Sequence, residues 1–160
     1  MQRTPFRLWH SAAALALVIF LQTAITSIIP AIALWTSLGA SIIATPFLIY
    51  VSTEVIAEVH LARRMLVLLS AVVAEFVAFF AFQYAYFIVA SPASFPTLPH
   101  EPVALLLQSV MVFVFNPLYI PETPLGRALM LINTFGAIVL VLFIFQNMHS
   151  FRHKQDTGAV

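Results

Sequence analysis

Cysteine is absent from the sequence, and charged residues make up only 8% of it. The first absence excludes disulfides, thiolate catalysis and iron–sulfur clusters, because each of these needs a cysteine sulfur. A soluble domain is about a quarter charged and about half apolar. This chain is 62% hydrophobic, with a mean hydropathy of +1.01. The composition therefore predicts an integral membrane protein, whose surroundings are the lipid bilayer.

A concentrated basic patch is also lacking, since the net charge of the 160 residues is +1. Nucleic-acid binding depends on clustered lysine and arginine, so we expect no nucleic-acid partner. The sequence contains no serine–histidine–aspartate set, HExxH motif, glycine-rich phosphate loop or paired carboxylates. These are the patterns that catalysis in small proteins most often uses. We therefore expect no enzymatic activity and no cofactor.

Long apolar runs are what the sequence does contain. Four of them are long enough to cross a bilayer core of ~30 Å, and they lie at residues 10–34, 40–58, 65–89 and 125–148. A fifth run, at 103–115, is too short to cross and is followed by Asn116-Pro117. The pattern predicts a single-domain, all-α integral membrane protein. It has four transmembrane helices and a short re-entrant or interfacial helix before the last span.

Aromatic and turn residues suggest two boundaries. Trp9 and Trp35 flank the first run, as interfacial tryptophans do at the two faces of a membrane, so the first turn is predicted at 36–39. Pro30 falls in the last turn of this run, where a proline can kink or end the helix. Residues 83–86, with the sequence QYAY, have the polar and aromatic composition of an interface.

The orientation follows from the basic residues. With four crossings, six of the seven fall on one side of the membrane: Arg3, Arg7, Arg63, Arg64, Arg152 and Lys154. The seventh, Arg127, lies at the head of the last span. Because basic residues favour the cytoplasmic side, both termini are predicted to be cytoplasmic and residues 90–124 to lie outside. We expect a multi-pass protein of the plasma membrane, the inner membrane of a bacterium.

The segment 121–127, PETPLGR, precedes an apolar helix with Gly136 in its middle. It resembles the stretch after the selectivity filter in small bacterial pore-loop potassium channels. The resemblance implies a homo-oligomer, a tetramer, with a hinge at Gly136. The filter-equivalent residues are Phe113, Val114, Phe115, Asn116 and Pro117. They include no glycine, and Pro117 has a fixed φ, so we expect no potassium-type carbonyl filter.

Two polar residues lie deep in the predicted spans. Glu75 is near mid-bilayer, where a charged side chain costs ~2.5–3.5 kcal/mol, so ion or proton handling is one interpretation. The other is a hydrogen bond between helices, to Asn133, Gln22 or Thr26. Asn133 itself is predicted to join helices rather than to line a pore.

His149 and His153 are four residues apart, a spacing seen in helical metal sites. They are the candidates for a metal site, and the alternative is that both are solvated at the membrane surface, with no metal.

Two functions remain open. The first is a channel-like protein with a degenerate pore loop, conducting ions other than potassium or not conducting. The second is a small accessory or assembly subunit of a larger membrane complex. The depth of residues 103–117 discriminates between them, because a pore loop must dip toward the membrane centre.

Overall fold

A computed structural model of the chain describes residues 6–58 and 62–156, and the side chains of 10–54 and 65–146. These residues form five α-helices and no strand. The helices are α1 (Phe6–Ile28), α2 (Ala33–Glu58), α3 (Ala62–Ala90), α4 (Pro102–Phe113) and α5 (Pro124–Asp156). Two short 3-10 turns, Pro30–Ile32 and Pro92–Ser94, follow α1 and α3.

Four of the helices are long and apolar enough to cross a membrane. Their apolar parts are His10–Ile28, Pro30–Glu54, Met65–Ala90 and Pro124–Gln146. The twelve residues of α4 are too few to cross, and α4 precedes the last of the four. The predicted architecture, an all-α multi-pass membrane protein with a short apolar helix before the last span, is confirmed. The membrane side where α3 ends and α5 begins is called the loop side below.

The first turn lies earlier in the chain than predicted. Helix α1 ends at Ile28, and the turn is formed by Pro30–Ile32, whereas residues 36–39 are helical. The prediction of a turn at 36–39 is therefore wrong, and the first span stops before residue 34. Pro30 explains the difference, because a proline disfavours helical geometry in the residue before it. Ile29 accordingly has a φ of −130° and a ψ of 79°.

Helix α3 lies at the centre of the bundle and packs against α1, α2, α4 and α5. Its buried face is aromatic, and Phe76 and Phe80 have ring centroids 4.8 Å apart. Toward the loop side, Phe95 packs edge-on against Tyr84 and Phe87, at 5.4 and 6.4 Å. Because Phe95 closes this end of the core, the interfacial interpretation of 83–86 is wrong for Gln83 and Tyr84, which are fully buried.

Candidate functional site

Helix α4 runs beside α3 from its loop-side end to its middle. The Ser109 hydroxyl donates a hydrogen bond to the Val77 carbonyl, at 2.8 Å. The Phe113 ring packs edge-on against Phe76, with centroids 5.7 Å apart. Phe76 and Val77 are near the middle of Met65–Ala90, and Phe76 is about 20 Å from the loop-side end at 1.5 Å per residue. These contacts place the end of α4 level with the middle of α3.

The five filter-equivalent residues form the end of α4 and the turn after it. Phe113 is the last helical residue, and Val114 is the C-cap, with a φ of −93°. Phe115 has a φ of 63°, and its N–H donates to the Val112 carbonyl at 3.0 Å. The Asn116 N–H donates to the Met111 carbonyl at 2.8 Å. This pair of bonds is the Schellman motif, a helix ending whose left-handed position is usually occupied by glycine.

Gln108 holds the chain where it returns toward the loop side. Its Oε1 accepts hydrogen bonds from the N–H groups of Leu118 and Tyr119, at 3.1 and 3.0 Å. Its Nε2 donates to the Tyr119 carbonyl at 2.9 Å. The Gln108 side chain is fully buried, and the three hydrogen bonds that it makes are partly buried. The sequence analysis did not single out Gln108. The available signal was an amide side chain inside a helix that is otherwise almost wholly apolar.

The segment 121–127 attaches the returning chain to the end of α3. The Glu122 N–H donates to the Ser94 carbonyl at 3.0 Å, and the Ser94 and Thr123 hydroxyls are 2.8 Å apart. Thr123 Oγ1 also accepts from the Gly126 N–H at 3.1 Å, which makes Thr123 the N-cap of α5. The Arg127 Nε donates to the Pro121 carbonyl at 3.3 Å. The motif on which the channel resemblance rests thus starts a helix and docks it onto the preceding turn.

Two glycines of this region allow close contacts. A Cβ at Gly126 would lie 2.9 Å from Pro121 Cβ and 3.2 Å from the Ser94 carbonyl oxygen. A Cβ at Gly136 would lie 2.7 Å from Thr45 Cγ2 and 3.1 Å from the Phe76 ring. Gly136, the predicted hinge, therefore lies where α5 is in close contact with α2 and α3, and packing accounts for a glycine there.

The turn after α4 presents an exposed surface. We define the loop surface as the exposed side chains of this turn: Val114, Phe115, Asn116, Leu118 and Ile120. Phe113 is directed instead against Phe76. In the described part of the chain, no donor reaches the carbonyl groups of residues 116–118. The turn is therefore irregular backbone that lies level with the middle of α3 and carries exposed side chains.

Glu75 and Asn133, the two predicted intramembrane polar residues, do not bind each other, and each has its own partner on another helix. The Ser11 hydroxyl donates to Glu75 Oε1 at 3.1 Å, which joins α1 to α3, and the buried Oε2 has no partner among the described residues. Asn133 Nδ2 donates to the Tyr84 hydroxyl at 2.9 Å, which joins α5 to α3. The partner of Glu75 is therefore Ser11 rather than Asn133, Gln22 or Thr26.

A second buried polar cluster pairs Gln22 with Gln83, which the sequence analysis named but did not bring together. Gln22 and Gln83 exchange two amide hydrogen bonds, of 3.1 and 2.9 Å, and the Ser37 hydroxyl donates to Gln83 Oε1. All three side chains are buried, and they come from α1, α3 and α2. The reciprocal bonds pair one amide N–H and the amide oxygen of each glutamine inside an apolar bundle. The cluster fixes the register of the three helices.

The candidate metal ligands His149 and His153 fall outside the residues whose side chains are described. Among the side chains that are described, no three histidine, cysteine, aspartate or glutamate groups come together.

Comparison with known proteins gives no relative: no family model, no curated protein and no solved structure matches the chain.

Proposed function

We propose that the chain is one subunit of a channel-like membrane homo-oligomer, a tetramer, whose subunits turn their loop surfaces toward a common axis. The observation that carries the proposal is irregular, exposed backbone halfway along the span. Lipid tails offer no hydrogen bonds, so such backbone is tolerated only against protein or a water-filled cavity. The described residues leave the loop surface exposed and donate no hydrogen bond to the carbonyl groups of residues 116–118. Further copies arranged around an axis would cover both.

The chemistry of the loop surface supports a narrow, apolar constriction. Phe115 and Leu118 are about half exposed, at 52% and 46%, whereas Asn116 is the single polar side chain of this surface. Rings of apolar side chains resist wetting and hold a pore closed. The first residues of the filter-equivalent segment are used in the cap of α4, and their N–H groups point back into the helix. We therefore expect no stack of carbonyl rings and no potassium selectivity.

Planar bilayers with purified protein test the selectivity. We expect either no current or a cation current whose reversal potential does not follow the potassium gradient. Asn116→Asp should increase any cation current, because it adds a ring of negative charge at the constriction. A reversal potential that follows potassium while sodium is excluded would show that a carbonyl filter forms after all.

The mass of the native assembly tests the proposed subunit role. In mild detergent we expect a complex whose mass is a multiple of the 17.7 kDa chain, four copies for a tetramer. The alternative function, an accessory subunit of a larger complex, would leave the same loop surface covered by a different protein. A stable complex with an unrelated chain, and no assembly of this chain alone, would favour that alternative.

We place the loop side outside the cell and both termini in the cytoplasm, on the asymmetry of the basic residues. Thr97 is exposed in the loop between α3 and α4, and the chain has no cysteine. A Thr97→Cys variant should therefore react with a membrane-impermeant thiol reagent added to intact cells. Reaction only after the cytoplasmic face is opened would reverse the orientation.

A further inference from the structure

An apolar groove of about 450 Å³ runs between α2 and α5 on the outside of the bundle. Its walls include Ile42, Thr45 and Ile49 from α2 and Leu131, Phe135 and Val139 from α5. The groove is separate from the loop surface, which is built by the turn after α4. Its volume lies within the range of about 300–1,000 Å³ that is typical of small-molecule sites.

The groove offers nothing to a polar ligand. Thr45 has the hydroxyl among the lining residues, and its Oγ1 already donates to the Ser41 carbonyl at 2.8 Å. The remaining walls are hydrocarbon and aromatic ring. In a helix pair that crosses a bilayer, an occupant without hydrogen-bonding needs is a hydrocarbon chain.

Two interface-type residues stand above the groove on the loop side. Arg127 is exposed and lies four residues, one helical turn, above Leu131 on α5. Trp35 is 65% exposed and lies seven residues, two turns, above Ile42 on the same face of α2. Tryptophan and arginine are the side chains that bind the headgroup region of a membrane. They occur here together, one on each helix that forms the groove.

The Arg127 side chain makes one hydrogen bond to the turn before α5. Its Nε donates to the Pro121 carbonyl at 3.3 Å. Among the described residues, no acceptor takes a hydrogen bond from the two Nη groups, so both can donate to phosphate oxygens. Paired N–H donors in a fixed fork match a phosphate group.

We propose that this groove is a phospholipid site, which holds one acyl chain between α2 and α5 and the phosphate at Arg127. From Arg127 to Val139 the helix rises about 18 Å, close to the ~15 Å depth of one leaflet of the hydrocarbon core. One lipid of the loop-side leaflet therefore fits with its headgroup at Arg127 and its chain along the groove. The site does not depend on the proposed channel function.

Native mass spectrometry in mild detergent tests the site, with phosphatidylglycerol titrated against the whole protein. Ile42→Trp fills the groove, so it should lower the affinity for the first bound lipid by about tenfold. Ile43→Trp is the matched control, because Ile43 is similarly exposed on α2 but does not line the groove. The Ile43→Trp variant should bind phosphatidylglycerol with the same affinity as the original chain. If the two variants bound the lipid equally, the bound lipid would be ordinary annular lipid rather than an occupant of the groove. That result would overturn the proposal.

The headgroup half of the site is tested separately. Arg127→Gln should weaken phosphatidylglycerol binding by about tenfold, the effect of losing a charge-assisted hydrogen bond. It should leave the binding of diacylglycerol with the same chains unchanged, because that lipid has no phosphate. Unchanged phosphatidylglycerol binding would overturn the assignment of Arg127. A loss of the native assembly mass in Ile42→Trp would show that the groove holds a second copy of the chain instead of a lipid.

Discussion

Phe115 combines a bulky side chain with a left-handed backbone, which costs a non-glycine residue about 1–2 kcal/mol. The strain is carried at the tip of the re-entrant turn, where glycine would be the usual residue. A phenylalanine at this point is accounted for if the proposed function needs its ring on the loop surface. Backbone strain of this kind is stored most often where a protein functions.

Substitution at Phe115 measures that strain. Phe115→Gly and Phe115→Ala remove the same ring, but only glycine relieves the positive φ. We expect the glycine variant to be more stable than the alanine variant by about 1 kcal/mol in reversible unfolding from mixed micelles. Equal stability of the two would mean that residue 115 is not held in the left-handed region.

Gly136 gives the second prediction at the residue scale. An added Cβ would meet Thr45 Cγ2 at 2.7 Å, and Thr45 cannot easily turn away because its hydroxyl binds the Ser41 carbonyl. Gly136→Ala should therefore lower the free energy of unfolding by about 1–3 kcal/mol. Thr45→Ser removes Cγ2 and keeps the hydroxyl, so the double variant should recover much of the loss. No recovery would argue against close packing as the reason for the glycine.

Helix α4 is the element on which the functional account depends, and Gln108 ties it to the returning chain. Gln108→Leu would leave the partly buried N–H groups of Leu118 and Tyr119 without their acceptor, at a cost of about 1 kcal/mol each. Amide hydrogen exchange at 118 and 119 should accelerate strongly in this variant. Ser109→Ala, which removes only the bond to α3, should leave exchange at these two amides slow. Equal acceleration in both variants would mean that the hydrogen bonds of Gln108 do not protect these two amides.

Sequence reasoning located most elements because apolar runs of this length have few alternatives to a membrane helix. It failed at the first turn, where the apolar run continues through Pro30 and only backbone geometry interrupts the helix. It found Glu75 and Asn133, since polar residues in a span are rare. It could not pair them, because the pairing of Ser11 with Glu75 depends on helix register, which hydropathy does not encode.

The same limit applies to the candidate site. The missing glycines of the turn could be read directly from the sequence, and so could the short length of α4. The depth of the turn could not, because it depends on the contacts of Ser109 and Phe113 with the middle of α3. Nor could the sequence alone have placed Arg127 and Trp35 above one groove. They are 92 residues apart and are brought together by the packing of α2 against α5.

At the scale of the whole molecule, the account rests on loop surfaces that face one another near the middle of the membrane. Disulfide cross-linking measures this directly in a chain without native cysteine. Asn116→Cys, in native membranes under mild oxidation, should form dimers of this chain, because equivalent residues meet around the axis. Phe20→Cys is the control, since Phe20 is 66% exposed on α1, away from the loop surface, and it should remain monomeric. A monomeric Asn116→Cys chain, or cross-linking no greater than that of Phe20→Cys, would contradict the account.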